Sequence, residues 1–265
     1  MKLVIKIGGQ AQGEAAVRKN VARQIARLHR AGHHVVVVHG GGAILTETLA
    51  RLGIQSEFHD GLRVTNAATR DVAVMVLAGI VNKHWVAEFQ TAGQPALGIC
   101  GADAGLIEAR KLVPGSNGNR RDLGFVGRPV KVNTGILEMA FKRGLVPVVA
   151  SVAMDLRREY LNINADDLAA ALATALKADR LIYLTESGGV WDAERNLIPV
   201  VKRSEIRGLI GKGIVRDGMI PKLRSCARTL GQGVNEIDIL SPAVSNGLLQ
   251  ALKAKIPIGT RIVKS

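Results

Sequence analysis

The sequence predicts an α/β fold, a three-layer αβα sandwich with a mainly parallel central sheet and helices on both of its faces. The first observation is that strand-like and helical patterns alternate along the 265 residues. The second is that the strand candidate at 34–39 (HVVVVH) is a β-branched run without polar alternation, as expected of a strand buried on both faces. The third is that 47% of the residues are hydrophobic but only 3% aromatic, so aliphatic side chains build the core.

Seven segments have the length and composition of strands. They are KLVIKI (2–7), HVVVVH (34–39), ALGIC (96–100), VPVVAS (146–151), RLIYLT (180–185), EIDIL (236–240) and GTRIV (259–263). Helical spacing of apolar residues separates most of them, at 14–31, 43–53, 66–90, 134–143, 165–177, 203–210, 217–231 and 245–253.

Two regions depart from this alternation. Residues 106–132 carry turn residues (PGSNGN) at their centre and short apolar segments on either side, which predicts a β-hairpin with a moderately mobile tip. Residues 151–160 show the weakest helical or strand pattern. We therefore expect two lobes, an N-terminal lobe over 1–155 that binds the acceptor substrate and dimerises, and a C-terminal lobe over 156–265 that binds the nucleotide.

The charge of the chain favours anionic substrates. Lys and Arg number 36 against 22 Asp and Glu, a formal net charge of +14. A nucleic-acid partner is disfavoured, because the basic residues are scattered, no recognition motif is present and few aromatic side chains are available to stack on bases. A basic surface also suits an enzyme whose substrates are all anions.

Composition also bears on the compartment. No uninterrupted apolar run reaches the roughly 18 residues that a membrane span needs. The N-terminal stretch MKLVIKIGG enters a strand at once and lacks the pattern of a signal peptide. Cys100 and Cys226 are too few and too far apart for a disulfide framework or a zinc site. We expect a cytoplasmic protein without a membrane partner.

Glycines follow three of the predicted strands. KIGG at 6–9, HGGG at 39–42 and SGG at 187–189 each stand where a strand ends, and in the first two a helix follows. Backbone N–H groups at such a turn bind anions, although the glycines are also explained as tight connections. Lys6 lies inside an apolar strand, where its ammonium is costly to bury unless it meets an anion at the sheet edge.

The stretch LNINADDLAAALATAL at 161–176 begins a helix. Asn164 is a candidate N-cap, and Asp166 either complements the helix dipole or has a role in a site. A second helix start, DGMIPK at 217–222, has Asp217 as a candidate cap and carries Lys222. The chain has no Walker A or GxGxxG sequence, no GxSxG elbow and no metal-binding His/Cys spacing. His39 ends a buried strand, so we interpret it as structural rather than as a base.

In chain order these segments resemble the amino acid kinase family. The matching motifs are KIGG (6–9), HGGG (39–42), GLRVT (61–65), LAGIVNK (77–83), GICGADAG (98–105), DLGFVG (122–127), LNINADD (161–167), DGMIPK (217–222) and GT (259–260). The combination of GLRVT, LAGxVNK, NxNAD and DGMxxK is most similar to the branch that phosphorylates N-acetyl-L-glutamate. The resemblance covers nearly the whole chain and implies the amino acid kinase fold.

The resemblance implies transfer of the ATP γ-phosphoryl group to the side-chain carboxylate of N-acetyl-L-glutamate, a step of arginine biosynthesis. Magnesium would be held by the nucleotide rather than by protein ligands. By similarity, Lys6 and Lys222 neutralise the transferred phosphoryl group and Asp166 orients both lysines. Gly9 and Gly41 would offer backbone N–H groups to the phosphoryl oxygens.

By the same resemblance, the acyl amino acid contacts Gly41, Gly42, Arg63 and Asn162, with Arg63 clamping its α-carboxylate. The nucleotide would contact two segments, Thr185, Glu186, Ser187, Gly188, Gly189, Val190 and Trp191, and then Ile214, Val215 and Arg216. Glu186–Ser187–Gly188 departs from the family, which usually has an aspartate followed by Val-Pro or Val-Ser. We expect this departure to weaken nucleotide binding.

Two other functions stay open at this point. One is a kinase for aminoadipate or glutamate attached to an acidic carrier protein, which the charge of +14 favours but HDGLRVT at 59–65 disfavours. The other is a catalytically idle regulatory homologue, which the presence of Lys6, Asp166 and Lys222 disfavours.

Residues 66–90 have apolar side chains on more than one stripe, and in the resembling family the equivalent helix builds a two-fold dimer. Because the first strand begins at residue 2, a plain homodimer insensitive to arginine is expected.

Overall fold

The computed structural model describes residues 1–113, 121–215, 219–254 and 257–265. Within them lie fourteen strands, β1 to β14 in chain order. Their bounds are Lys2–Ile7, His34–His39, Phe58–His59, Leu62–Arg63, Ala96–Cys100, Ile107–Lys111, Val126–Val132, Val146–Ala150, Val152–Met154, Tyr160–Ile163, Arg180–Leu184, Val200–Lys202, Glu236–Leu240 and Thr260–Val263. All seven strands predicted from the sequence are present.

The described residues contain ten α-helices, α1 to α10. Their bounds are Gln10–Gly13, Ala15–Arg30, Gly42–Arg51, Ala67–Ala73, Asn82–Thr91, Gly135–Lys142, Ala165–Ala175, Ile206–Gly211, Met219–Gly231 and Gly247–Lys253. A π-helical segment, Val74–Val81, joins α4 to α5 into one long helix, and two 3₁₀ turns lie at Asp103–Gly105 and Arg203–Glu205. Each predicted helix has a counterpart. The predicted cap Asp217 lies outside the described residues.

The central sheet has eight strands in the order β12-β14-β13-β11-β1-β2-β8-β5. Every neighbouring pair is parallel except β13 and β14, so the prediction of a mainly parallel sheet is confirmed. Residues 1–155 supply four adjacent strands of this sheet and residues 156–265 supply the other four. β1 and β11 pair in the middle, where the two halves of the chain meet.

Alternate residues of the strands enter two separate cores, one on each face of the sheet. On β1, Leu3, Ile5 and Ile7 belong to the core that α2, the long helix 67–91 and α10 cover. Val4 belongs to the opposite core, which α7 and α9 cover. This is the three-layer arrangement that the sequence predicts, because a strand buried on both faces needs helices on both sides.

A small closed barrel stands beside the main sheet, with its strands in the order β10-β7-β6-β9. β6 and β7 pair antiparallel, so the predicted hairpin over 106–132 is confirmed; its tip, residues 114–120, lies outside the described residues. The expectation for 151–160 was wrong at both ends, since β9 and β10 begin and end this stretch and pair antiparallel across it. These strands are only three and four residues long, too short for a periodic pattern.

The long helix Ala67–Thr91 is apolar and long enough to cross a membrane by length and composition alone. Only 44% of its most apolar 18-residue window is buried, but that part belongs to the protein core. Trp85 and Phe89 are among the most buried large side chains of the described residues. Asn82, also fully buried, donates hydrogen bonds to backbone oxygens of the adjacent strands β5 and β8. We interpret it as a core helix with one uncovered face.

Candidate active site

Lys6 reaches the site because of its position in β1. It lies on the same face of the strand as Val4, one residue before the strand ends, and it pairs in register with Tyr183 of β11. Its face is the one covered by α7 and α9. The ammonium therefore emerges at the carboxyl edge of the parallel sheet, where ligands bind in open α/β folds.

Asp166 lies in the first turn of α7, and the structure separates the two roles that the sequence left open for this helix start. Asn164 is the N-cap, because its Oδ1 accepts hydrogen bonds from the backbone N–H groups of Asp166 (2.8 Å) and Asp167 (3.3 Å). The Asp166 carboxylate faces the sheet instead. One oxygen, Oδ1, lies 2.8 Å from Lys6 Nζ, and the other accepts a hydrogen bond from Lys222 Nζ.

Lys222 approaches from the first turns of α9. Its Nζ contacts Asp166 Oδ2 and lies 4.8 Å from the centre of the Tyr183 ring, in a cation–π geometry. The Tyr183 ring is completely buried and its hydroxyl is 3.4 Å from the backbone oxygen of Asp166. Sequence analysis missed Tyr183. The ion cluster of Lys6, Asp166 and Lys222 packs against this buried side chain.

The electrostatics of this ion cluster keep Asp166 charged. Burial alone raises the pKa of its carboxyl, but the two ammonium groups and their hydrogen bonds outweigh burial and lower the pKa from 3.8 to about 2. The three side chains remain 11–22% exposed, so the cluster opens to solvent. Two cations share one carboxylate, which leaves a net positive charge of one facing the opening.

The three glycines predicted to lie in the site differ in how much space a side chain would have. At Gly41, an added Cβ would lie 2.7 Å from Leu77 Cδ2 and 3.1 Å from Val81 Cγ2, so the π-helical segment packs against this turn. At Gly42, which begins α3, no described residue beyond its chain neighbours and its own helix backbone comes within 4 Å of the added Cβ. At Gly9 the nearest atom is Glu186 Oε1, at 3.7 Å. Gly42 thus has open space where a side chain would stand, whereas at Gly9 the Glu186 carboxylate borders that space.

A pocket of about 170 Å³ lies next to the ion cluster and brings together all four residues predicted to bind the acyl amino acid, Gly41, Gly42, Arg63 and Asn162. Its wall also includes Asn164 and Ala165, the two residues before Asp166. Two of the sequence motifs meet here, since Asn162 Nδ2 donates to Thr65 Oγ1 over 3.3 Å.

Arg63 is buried at the base of this pocket and burial lowers the pKa of its guanidinium. Nη1 donates to Ser56 Oγ (2.5 Å), and Nη2 donates to Thr46 Oγ1 (2.7 Å) and to the Gly42 oxygen (3.1 Å). Phe58 covers the group, with its ring centre 4.5 Å from Cζ. The predicted bidentate contact with the α-carboxylate would therefore require some of these hydrogen bonds between the guanidinium and the protein to break. Sequence analysis missed Thr46 and Ser56, which lie outside the motifs.

His39 has the geometry of a structural residue. It is fully buried, its Nδ1 lies 2.8 Å from the Gly40 oxygen, and its Nε2 lies 3.1 Å from Asn82 Nδ2. Burial lowers the pKa of its imidazole from 6.5 to about 4, so it is neutral at pH 7. Asn82, within the LAGIVNK motif, joins this histidine to β5 and β8. Together they fix the position of the glycine turn at 40–42.

The segment predicted to bind the nucleotide follows β11 as a loop folded on itself. Trp191 Nε1 donates to the Ser187 oxygen (2.7 Å), and the N–H of Val190 donates to Thr260 Oγ1 (2.7 Å). Gly188 has a φ of +64°, which favours glycine. The Ser187 hydroxyl is buried with no hydrogen-bond partner in the described part of the chain.

The remaining predicted nucleotide residues are only partly described. Thr185 and Glu186 begin the loop, and the contact of Glu186 with Gly9 shows that this loop borders the first glycine turn. Val190 and Val215 are buried in the same apolar core. Ile214 is half-buried beside Val215, whereas Arg216 lies outside the described residues. Among the described residues no group of three His, Cys, Asp or Glu is placed to hold a metal ion.

Residues 1–241 match the model of the amino acid kinase family. The chain belongs to the amino acid kinase family. An acetylglutamate kinase of Koribacter versatilis (strain Ellin345) is 44% identical over 263 residues, which cover 99% of both chains.

Two solved structures share the fold of this family member. The smu.665 protein of Streptococcus mutans UA159 superposes with a TM-score of 0.83 at 27% identity, covering 100% of this chain and 99% of that one. An N-acetylglutamate synthase of Neisseria gonorrhoeae, complexed with coenzyme A and N-acetyl-glutamate, gives a TM-score of 0.87 at 25% identity. All of this chain matches it but spans only 59% of the synthase. The predicted family and fold are confirmed.

Proposed function

We propose that this protein is an ATP-dependent acetylglutamate kinase, which transfers the γ-phosphoryl group of ATP to the side-chain carboxylate of N-acetyl-L-glutamate. The observation that carries the proposal is the ion cluster of Lys6, Asp166 and Lys222 beside a pocket lined by Arg63 and Asn162. The relative with 44% identity over the full chain carries the name of this activity. Neither that relative nor the two solved structures support a carrier-protein kinase or an idle regulator.

The two lysines act on the charge of the transferred group. Phosphoryl transfer proceeds through a loose transition state with charge spread over the phosphoryl oxygens, so catalysis consists of positioning and positive charge. Lys6 and Lys222 approach from different elements, β1 and α9, and Asp166 holds both ammonium groups in place. Asp166, with a pKa of about 2, stays ionised and orients both ammonium groups through its two oxygens.

The acceptor requires no general base. A side-chain carboxyl of the glutamate type has a pKa of about 4.3, so it is already an anion at pH 7. The protein's task is to bring two anions together. Backbone N–H groups at Gly9 and Gly41 serve the phosphoryl oxygens, and the open side of Gly42 admits the acceptor. Arg63 and Asn162 orient the acyl amino acid from the other wall of the pocket.

The nucleotide lies in this proposal over the loop 185–191 and the segment 214–216. The unpartnered Ser187 hydroxyl and the exposed Trp191 side chain give this loop the polar and planar groups that a nucleotide needs. Magnesium, bound to the nucleotide phosphates, supplies further positive charge when present. The Glu186 carboxylate borders Gly9, so this chain's departure from the family places a negative charge near the phosphates. We therefore retain the expectation of weakened nucleotide binding.

A coupled assay of ATP consumption tests the function. Turnover is expected only with both N-acetyl-L-glutamate and magnesium, because the described pocket lining offers neutral amides and one guanidinium but no acidic group for an ammonium. Free L-glutamate is the matched control substrate. Equal turnover with free L-glutamate would contradict the proposal. The Lys222→Ala variant, assayed in parallel, shows whether the activity belongs to this site.

We further propose a cytoplasmic homodimer, built on the long helix 67–91. Six of its predicted apolar residues are buried, but Met75 and Ile80 are 57% and 46% exposed. Exposed apolar residues on a helix whose opposite face is buried in the core are typical of an interface. Ile80→Lys should convert a dimer to a monomer in sedimentation equilibrium, whereas Leu156→Lys, at an exposed leucine elsewhere, should not. A monomeric wild-type protein at high concentration would contradict this assembly.

A further inference from the structure

A second, larger cavity lies apart from the candidate active site, between α8 with its preceding turn and α9. Its volume is about 720 Å³. The lining residues are Arg203, Ser204, Ile206, Arg207, Ile210, Arg224, Ala227, Arg228 and Lys264. None of them lines the acyl amino acid pocket. On α9, Arg228 lies about 9 Å further along the helix axis than Lys222, from the usual rise of 1.5 Å per residue.

The cavity wall is positively charged. Nine described residues line it; five of these nine are Arg or Lys, and none of the nine is acidic. Within the described ranges, none of these five cations lies within 4 Å of a carboxylate; the ion pairs found belong to other side chains. Glu205, adjacent in sequence, instead accepts a hydrogen bond from the N–H of Lys202. Two of the five have a partial counter-charge among the described residues: Arg203 lies against Gly231 at the C-terminus of α9, and Arg228 is near enough to Asp167 to act on its carboxyl.

Without a bound anion, these cations repel each other. Arg224 and Arg228 are four residues apart on α9, and like charges at this helical spacing repel each other. The five side chains converge on one concave space rather than spreading over the surface. A cleft lined by one sign of charge focuses its field and concentrates counter-ions. An anion in the cavity would relieve this repulsion.

The shape and the remaining residues narrow the ligand class. A volume of about 720 Å³ is typical of small-molecule sites. Arginine forks suit phosphate oxygens, and Ile206, Ile210 and Ala227 add an apolar wall. We propose that this cavity binds a small polyphosphorylated molecule with an apolar or planar body, at a site separate from the candidate active site. The proposal does not depend on the kinase activity.

Isothermal titration with inorganic tripolyphosphate tests the site. The cavity variant is Arg207→Glu/Arg224→Glu, and the control is Lys19→Glu/Arg23→Glu, which makes the same charge change at exposed positions of α2 on the other sheet face. We expect at least tenfold weaker binding in the cavity variant and less than twofold change in the control. All four positions are exposed, so thermal melting should confirm that both variants fold. Their kcat/KM without tripolyphosphate should stay within twofold of wild type.

A Lys222→Ala protein separates this cavity from the active site, because tripolyphosphate is expected to bind it as tightly as wild type. Equal binding to the cavity and control variants, or loss of binding in Lys222→Ala alone, would overturn the proposal. In the Lys222→Ala background, the ATP binding that Arg207→Glu/Arg224→Glu removes should be at least threefold tighter than the tripolyphosphate binding that the same pair removes, if an apolar or planar body is recognised. Equal affinities would overturn that part of the proposal.

Discussion

The protein contains two clusters in which one aspartate lies between two cations, and they differ in what their donors do. At the candidate active site, Asp166 lies between Lys6 and Lys222. Among β11, β13 and β14, Asp238 accepts hydrogen bonds from Arg180 Nη1 (3.0 Å) and Arg261 Nε (2.9 Å). The second cluster is saturated, since both arginines also donate to the Ala251 oxygen and Glu236 lies 2.8 Å from Arg180 Nη2.

The pKa directions of the two aspartates express the same contrast. Asp238 is completely buried, and burial raises its pKa despite the two guanidinium groups that lower it. Asp166 keeps 22% of its side chain exposed, and there the two ammonium groups prevail and lower the pKa to about 2. In the described part of the chain, Asp166 is the only acceptor for either lysine. The saturated cluster around Asp238 holds α10 to the sheet. In the ion cluster around Asp166, the two lysines still have N–H groups that can bind a ligand.

The largest effect is expected at the saturated cluster. Asp238→Asn replaces one of the two buried acceptor oxygens with an NH2 group that faces a guanidinium donor, and should cost about 3–5 kcal/mol of unfolding free energy although Glu236 remains. Urea unfolding measures this cost. The matched control is Asp71→Asn, which removes an exposed partner of Arg70 and should cost less than about 1 kcal/mol. Equal costs would show that burial does not distinguish these ion pairs.

At the open cluster the loss should appear in catalysis rather than in stability. Lys6→Ala and Lys222→Ala should each lower kcat by about 10²–10³-fold, as expected when one charge partner of the transition state is removed. Asp166→Asn should do comparable harm, because the amide cannot orient two ammonium groups. Urea unfolding should show a smaller stability loss than for Asp238→Asn. A fully active Asp166→Asn would show that the carboxylate serves only the helix.

The sequence predicts the cluster around Asp166 better than the cluster around Asp238. A lysine inside the apolar strand KLVIKI indicates an anion near the sheet edge, whereas the pattern around Asp166 is equally explained by the helix dipole, and its role in the site was implied only by the family resemblance. The saturated cluster was missed, since Arg180 and Asp238 lie in ordinary strands and their pairing depends on sheet order. The small barrel was also partly missed, because strands of three and four residues stabilise each other only through tertiary closure.

The two aspartates should also differ in how stability depends on pH. The pKa of Asp166 is lower in the folded state than the unfolded value of 3.8, so its contribution is fully present above pH 3.8 and is lost as pH falls towards 2. The shift corresponds to about 2 kcal/mol. Urea unfolding between pH 5 and 2.5 should therefore show a shallower acid limb for Asp166→Asn. Asp238→Asn should not flatten this limb, since a raised pKa acts above pH 3.8. Parallel acid limbs for wild type and Asp166→Asn would contradict the lowered pKa.

Arg63 is intermediate between the two clusters in how fully the protein satisfies its N–H groups. Its replacement should have the smallest effect on activity. It has no carboxylate within 4 Å in the described residues, and neutral oxygens of Ser56, Thr46 and Gly42 take part of its donor capacity. Its remaining N–H groups should bind the α-carboxylate equally in the ground and transition states, so Arg63→Lys should raise KM for N-acetyl-L-glutamate about tenfold with kcat nearly unchanged. Thr46→Val keeps the guanidinium but removes one of its acceptors, and should change KM by less than about threefold. If Arg63→Lys kept the wild-type KM while Thr46→Val lost stability, Arg63 would belong with the saturated arginines as a structural cation.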